Sequence, residues 1–179
     1  MRRREIAGTA RYLTFTCYRR LPLFRNEHIR DHFVDRLTRV TQALATDVLA
    51  WVVMPDHAHL IVYAGAVGVT MTRFTHALKR PFALEVLNRW RQLDAPILAQ
   101  VRHADGHRFW QAGGGFDRNV VGDELREKIR YVHRNPIRRG LAERAADWQW
   151  SSASAYEGRP GAGPVINFDL LPNGRGDLL

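Results

Sequence analysis

The chain has 179 residues, a 45% hydrophobic fraction, and 27 Lys or Arg against 18 Asp or Glu, which gives a formal net charge of +9. Its length fits one domain, or one domain with a tail, and no apolar run approaches the roughly 18 residues of a membrane span. The basic start lacks the apolar stretch of a secretory signal, and a single cysteine, Cys17, excludes an intrachain disulfide and a cysteine-based zinc cluster. We therefore expect a cytoplasmic protein without a membrane partner, and the positive charge predicts a polyanionic ligand.

The first part of the chain alternates strand and helix patterns. Residues 11–18 are rich in Thr and aromatic side chains and predict a strand. Asn26 is placed to cap a helix whose apolar residues recur at helical spacing as far as residue 44. The apolar segments 47–54 and 57–63 predict two further strands, and the turn between them joins the two as a hairpin.

The next segments complete a recognisable order of elements. Residues 70–90 predict a helix that Pro81 kinks or divides, and residues 97–102 predict a fourth short strand. The order β-α-β-β-α-β predicts an α+β fold, namely a ferredoxin-like split βαβ domain whose antiparallel sheet is covered by helices.

The C-terminal part predicts a loop, a helix and a tail. Glycines cluster in residues 109–117, which predicts a loop, and a helix is expected from residue 123 to about residue 134. The aromatic segment 148–152 is expected to pack back on the domain. We predict a single domain over residues 1–156 and a loose tail over residues 157–179, where Gly and Pro are frequent.

Two histidines on the third predicted strand form a candidate metal site. His57 and His59 are two residues apart, so their side chains point to one face, about 6.6 Å apart along the strand, and both imidazoles can bind one ion. Ala58 and Leu60 alternate with them and face the core. A lone pair of this kind is more often structural than metal-binding, so further residues must support the site.

Tyr131 and Asn135 on the last predicted helix supply that support. They lie one helical turn apart and share a face, which offers a nucleophile and an oxygen ligand together. A phenol with a pKa of about 10 is a poor nucleophile, and a divalent ion can assist it by polarising a phosphodiester. Attack would give a covalent phosphotyrosine and free the other DNA end, which is the chemistry of strand transfer. Burial of the Tyr131 ring in the core is the alternative interpretation.

Basic residues are dense around this helix and predict contacts with DNA phosphates. Trp110, beside the glycines of residues 109–117, offers a surface for base stacking, although an aromatic anchor in the core explains it equally well. The cations that we expect to contact DNA are Arg2, Arg3 and Arg4, as a flexible arm, together with Lys128, Arg134, Arg138 and Arg139.

Three functions remain open from these residues alone. The first is an enzyme that cleaves and joins DNA through Tyr131. The second is a non-catalytic module that binds structured single strands. The third is a metal-dependent hydrolase that uses His57, His59 and water. Loss of the Tyr131 hydroxyl separates them, because only the first function requires it.

Three motifs taken together resemble a known family. The segments VMPDHAHLIV at residues 53–62, YVHRNPIRRGL at residues 131–141 and WSS at residues 150–152 occur in this order. From about residue 10 to residue 156, the chain is similar to the single-tyrosine HUH transposases of the IS200-like family, and within them to the REP-associated tyrosine transposases. Asp56 departs from the pattern, because relatives often carry Asn at this position.

The resemblance implies a role for each candidate residue. His57 and His59 would be the HUH metal pair, Asn135 would complete a site for Mg²⁺ or Mn²⁺, and Tyr131 would form a 5′-phosphotyrosine. The enzyme would be a metal-dependent endonuclease and transposase that cleaves and rejoins single-stranded DNA near REP-like hairpins, in association with the nucleoid. One tyrosine per chain leaves both a monomer and a homodimer open.

Overall fold

A computed structural model describes residues 6, 8–63, 69–104, 106–159, 161–171, 174, 176, 178 and 179, with the backbone alone at residues 114 and 116. The strands are β1 (Ala10–Cys17), β2 (Asp47–Val53), β3 (His57–Tyr63), β4 (Arg102–His103), β5 (Gly106–His107) and β6 (Trp110–Val120). The helices are α1 (Glu27–Ala43), α2 (Met71–Gln92), α3 (Ile97–Gln100), α4 (Gly122–Arg138) and α5 (Ala153–Tyr156). Short 3₁₀ turns occur at Tyr18–Arg20, Ala145–Asp147 and Phe168–Leu170.

Four strands form one antiparallel sheet in the order β2-β3-β1-β6, and β4 and β5 form a separate two-stranded ribbon. Helices α1 and α2 cover one face, where Phe33 and Phe82 contact each other with ring centroids 5.1 Å apart. Helix α4 crosses the other face. This arrangement confirms the predicted α+β fold with an antiparallel sheet and helices.

The first helix forms for the reasons that its sequence indicates. The Asn26 side chain accepts a hydrogen bond from the His28 N–H and caps α1, as predicted. Phe33 and Leu37 are fully buried along the predicted apolar stripe. Helix α2 contains Pro81 without dividing into two helices. Its continuity follows from packing: three fully buried apolar side chains at about 1.5–3 kcal/mol each outweigh the roughly 3 kcal/mol cost of an internal proline. These are Phe74, Leu78 and Phe82.

The fourth strand of the sheet lies where the sequence predicted a loop, and the predicted strand at residues 97–102 is wrong. Residues 97–100 form the short helix α3, which begins after Pro96. The glycine-rich segment instead lies within β6, at the edge of the sheet. An edge strand pairs on one side only and tolerates glycine and a register shift, which occurs opposite Phe15 and Cys17. At Gly115, a Cβ atom would lie 3.1 Å from the Thr14 carbonyl oxygen, so glycine suits this close approach.

Several described residues within 157–179 also pack on the domain, where a loose tail was predicted. Ile166 forms a parallel bridge with Val48, and Leu178 is fully buried. Ser151 bridges Val52 farther along the same strand, as expected from the prediction that residues 148–152 pack back on the domain. The reason is that β2 is otherwise an open edge, whose unpaired backbone groups and apolar side chains these residues cover. No helix among the described residues is both long and apolar enough to cross a bilayer.

Candidate active site

The two histidines share one face of the sheet, as their spacing predicts. In the antiparallel register of β1 and β3, His57 lies opposite Thr16, and His59 lies opposite Thr14. The imidazole centroids are 4.6 Å apart, and both side chains are buried. Ala58 is fully buried between them toward the opposite face. The spacing along β3 therefore brings the two imidazoles together, and the pairing with β1 places Thr16 and Thr14 beside them.

Hydrogen bonds at the Nδ1 atoms orient both rings. The Nδ1 atom of His57 lies 2.7 Å from a carboxylate oxygen of Asp56 and donates to it, since an ionised carboxylate only accepts. The Nδ1 atom of His59 lies 2.9 Å from the hydroxyl oxygens of both Tyr12 and Thr14. When each Nδ1 carries the ring proton, both Nε2 atoms keep a lone pair, which is the arrangement of metal-binding imidazoles with outer hydrogen-bond partners.

Burial and neighbouring groups set the protonation of His59, Asp56 and Tyr12. Desolvation, followed by the proximity of His57, lowers the pKa of His59 to about 3, so its imidazole is neutral at physiological pH. The hydrogen bond from His57 is the largest cause that lowers the pKa of the Asp56 carboxyl, which is therefore ionised. Burial raises the pKa of Tyr12 to about 12 and keeps its hydroxyl protonated. The site therefore holds a neutral His59 imidazole and an ionised Asp56 carboxylate.

Helix α4 brings Tyr131 over the histidines. Its inner face buries Leu125, Ile129 and Val132, and this packing sets the rotation of the helix on the sheet. The half-buried Tyr131 ring lies with its centroid 5.5 Å from that of His59, in an edge-to-face arrangement. The Arg138 guanidinium carbon is 5.2 Å from the Tyr131 centroid. The Tyr131 ring is therefore partly packed, as the alternative interpretation requires, but it also faces the paired imidazoles.

Asn135 lies one turn after Tyr131, as predicted, and its side chain is buried. Its amide nitrogen donates to the Tyr131 carbonyl oxygen at 2.9 Å. That bond fixes the orientation of the amide, because the nitrogen is occupied and the oxygen remains available as an acceptor or ligand. Helix α4 continues through Pro136 to Arg138, farther than the predicted end near residue 134.

A cavity of about 240 Å³ unites these groups. Six of its lining residues are predicted site residues, namely His57, His59, Tyr131, Asn135, Arg138 and Arg139. Sequence reasoning missed Thr14, Thr16 and Arg20, which complete the lining. Alternation along β1 places Tyr12, Thr14 and Thr16 on one face, but only the register shows that this face meets the histidines.

The remaining predicted DNA-binding residues differ in their positions. Lys128 pairs with Glu127 at 3.0 Å, and its Nζ atom is 5.9 Å from the Tyr131 ring centroid. Arg134 is exposed on α4, outside the cavity lining. Arg2, Arg3 and Arg4 lie outside the described residues.

Trp110 occupies a structural position at the start of β6. Its ring centroid lies 4.7 Å from that of Phe109 and 5.7 Å from that of Phe24. Its indole N–H donates to the Lys79 carbonyl oxygen at 3.0 Å. These contacts support the interpretation of Trp110 as an aromatic anchor over that of a free stacking surface.

Comparison with known proteins identifies the family. The sequence model of the family described as IS200-like transposases matches residues 9–135, which include both histidines, Tyr131 and Asn135. No curated protein matches the sequence.

Two solved structures share the fold. A REP-associated tyrosine transposase bound to a REP hairpin is 20% identical, with a TM-score of 0.65, covering 97% of this chain and 96% of the other. A candidate transposase from Deinococcus radiodurans is also 20% identical, with a TM-score of 0.50, covering 73% of this chain and 92% of the other. The family model spans well over half of the sequence, and the chain belongs to the IS200-like transposases.

Proposed function

We propose that this protein cleaves and rejoins single-stranded DNA near hairpins through a 5′-phosphotyrosine on Tyr131, with the help of Mg²⁺ or Mn²⁺. The observation that carries the proposal is the cavity in which Tyr131 meets His57, His59 and Asn135. A tyrosine that served only as packing would not need two imidazoles and an amide oxygen around the same opening.

The residues present fit a divalent metal ion. His57 and His59 offer two Nε2 atoms whose rings are held from behind, and Asn135 offers an amide oxygen. No group of three or more His, Cys, Asp or Glu that could hold a metal occurs in the described part of the chain, so the amide is the natural third ligand. The chemistry that Mg²⁺ or Mn²⁺ supplies in such a site is polarisation of the scissile phosphate and compensation of developing charge.

The chain's own residues account for the bond exchange. The Tyr131 oxygen attacks the phosphorus, a new O–P bond forms, and the bond to the 3′ oxygen breaks. The proton lost by the phenol is balanced by the proton that the departing 3′ oxygen gains as a hydroxyl. The reverse attack by a 3′ hydroxyl rejoins the strand and restores Tyr131, so the exchange needs no nucleotide cofactor.

The cations at the cavity support a nucleic-acid substrate. Arg20, Arg138 and Arg139 line the opening, and the side chains of Arg20 and Arg139 are 73% and 52% exposed, so both can reach a phosphate. A preference for hairpins, REP-like ones included, rests on the fold shared with the transposase bound to a REP hairpin.

A covalent-adduct assay tests the proposal. Hairpin oligonucleotides copied from the inverted repeats that flank the gene, labelled at the 3′ end, are incubated with protein and Mn²⁺ and separated by denaturing electrophoresis. A 5′-phosphotyrosine places the 3′ label on the protein, whereas a 5′ label stays on the released strand. Tyr131→Phe should abolish the labelled protein band and retain hairpin binding.

The control is Tyr63→Phe, which removes a hydroxyl four residues beyond His59 on β3, about 13 Å along the strand. This variant should form the adduct at the wild-type level. Hairpin binding without an adduct, in both Mg²⁺ and Mn²⁺, would instead identify a binding module. Cleavage that persists in Tyr131→Phe would identify hydrolysis by water.

A further inference from the structure

Asp56 lies between the histidine pair and the arginines at the cavity opening. One carboxylate oxygen accepts the 2.7 Å hydrogen bond from His57 Nδ1. The other oxygen lies 3.8 Å from a terminal nitrogen of Arg139 and 3.9 Å from one of Arg20. The Asp56 side chain is only 15% exposed, whereas both arginine side chains are more than half exposed. One carboxylate therefore contacts a candidate metal ligand and two candidate phosphate ligands at once.

The turn that contains Asp56 is held by its backbone. The Cys17 N–H donates to the Asp56 carbonyl oxygen at 2.9 Å, and the Phe24 N–H donates to the Pro55 carbonyl oxygen at 2.9 Å. The Met54 N–H donates to the His57 carbonyl oxygen at 2.8 Å and closes the turn between β2 and β3. These bonds join backbone atoms only, so the shape of the turn does not require a carboxylate at residue 56.

We infer that Asp56 is a positioning residue that couples metal binding to DNA binding, an inference that rests on the proposed function. Through one oxygen it accepts the hydrogen bond from Nδ1 and holds the His57 ring in place, as carboxylates behind metal-bound histidines do. Through the other oxygen it attracts Arg20 and Arg139 and repels an entering phosphate. The carboxylate thus favours the metal ion and disfavours DNA that arrives before the metal.

This double contact predicts effects of opposite sign. Asp56→Ala should weaken Mn²⁺ binding by roughly 10–100-fold, the range for loss of an outer partner of a metal ligand. Asp56→Asn should weaken it less, because the amide oxygen still accepts from His57. In both variants, metal-free binding of a hairpin should tighten by roughly two- to five-fold, because Arg20 and Arg139 no longer pair with a carboxylate. This is the scale of an exposed ion pair.

Two titrations on the full chain measure the two effects separately. Calorimetric titration with Mn²⁺ alone gives the metal affinity without DNA, and fluorescence anisotropy of a labelled hairpin in EDTA gives the metal-free DNA affinity. Asp35→Asn is the matched control, because it removes one negative charge from the exposed surface of α1, on the opposite side of the sheet. It should leave Mn²⁺ affinity unchanged and alter hairpin affinity less than Asp56→Asn. Thermal unfolding establishes that each variant is folded.

The inference is supported if the Asp56 variants bind Mn²⁺ more weakly and the hairpin more tightly, and Asp35→Asn does not. Unchanged Mn²⁺ affinity in Asp56→Ala, or weaker Mn²⁺ binding without tighter hairpin binding, overturns it. A parallel loss of both affinities with a lower unfolding temperature also overturns it, since that result assigns Asp56 a structural role. A wild-type protein that binds no Mn²⁺ overturns the proposed function as well. Mn²⁺ binding that requires His57 but is unaffected by substitution of Asp56 overturns this inference alone.

Discussion

Replacement of Ser152 by alanine should destabilise the protein far more than a surface serine change. The Ser152 hydroxyl lies in a buried chain of hydrogen bonds that joins β2 to α4. The Trp51 N–H donates to the Ser152 oxygen at 2.9 Å, and the Ser152 oxygen lies 2.9 Å from His133 Nε2. His133 Nδ1 lies 2.7 Å from the Leu178 carbonyl oxygen.

The direction of each hydrogen bond in this chain follows from its last member, the Leu178 carbonyl oxygen. A carbonyl oxygen only accepts, so His133 carries its proton on Nδ1 and its Nε2 is an acceptor. The Ser152 hydroxyl, 2.9 Å away, is its donor, and the Trp51 carbonyl oxygen at 3.3 Å is the longer alternative acceptor for the same hydroxyl. Burial lowers the pKa of His133 to about 4, which keeps the ring neutral and gives it one N–H. Ser152→Ala therefore leaves one donor, the Trp51 N–H, and one acceptor, His133 Nε2, unpaired in the interior.

The magnitude follows from these two groups. Each buried polar group without a partner costs about 1–3 kcal/mol, so we expect a loss of about 2–6 kcal/mol in the free energy of unfolding. This is a large part of the roughly 5–15 kcal/mol that stabilises a domain. The space left by one oxygen atom is too small for a replacement water. The backbone bond from residue 152 to the Trp51 carbonyl oxygen remains in the variant, so the local chain path is preserved.

Urea unfolding followed by tryptophan fluorescence, in metal-free buffer, measures the loss. The matched control is Ser154→Ala, a half-buried serine two residues away, which should change stability by less than about 0.5 kcal/mol. Equal stabilities of Ser152→Ala and Ser154→Ala would refute the hydrogen-bond assignment.

Three further predictions concern protonation, metal orientation and DNA contacts. The metal-free protein should lose stability as the pH falls from about 6.5 towards 4. The unfolded chain takes up protons there that folded His133 and His59 exclude, since their pKa values are lowered to about 4 and about 3. Equal urea midpoints at pH 7 and pH 5 would contradict this. Tyr12→Phe and Thr14→Val each remove one of two hydroxyls behind the same imidazole, so calorimetry should show a small loss of Mn²⁺ affinity for each and roughly 10–100-fold for the pair. A wild-type affinity in the double variant would show that these hydroxyls do not orient the ring. Arg138→Gln should weaken hairpin binding and reduce the slope of log K against log salt by about 0.7, whereas the exposed Arg39→Gln on α1 should leave the slope unchanged. Equal slopes for the wild type and Arg138→Gln would place that side chain outside the DNA contact.

The elements that the sequence predicted well are those whose signals are local. Asn26 caps α1 through its own side chain, and the apolar stripe that follows is buried regardless of its partner. Strands β2 and β3 are buried on both faces, because helices cover both sides of the sheet, and they were predicted within a residue of their ends. In each case the decisive residues lie within one segment of the chain.

The errors occur where a distant contact decides the structure. Glycine opposes strand formation locally, yet Gly115 suits β6 because the Thr14 carbonyl approaches it from the neighbouring strand. The residues after position 157 are rich in Gly and Pro, yet Ile166 and Leu178 find buried sites on β2 and α4. Neither contact can be derived from the segment itself, because each depends on which element lies opposite.

The candidate site shows the same difference between local signals, which the sequence contains, and distant contacts, which it does not. His57 and His59, like Tyr131 and Asn135, share a face through spacing alone, and sequence analysis placed both pairs together. Spacing does not distinguish the proposed metal pair from two packed histidines, because it does not tell which groups contact each Nδ1 atom. Here β1 supplies that information through Tyr12 and Thr14 at one ring, and the hairpin turn supplies it through Asp56 at the other. Because the hydroxyl partners come from the strand register, a His-x-His motif indicates a metal site only once the strand opposite it is known.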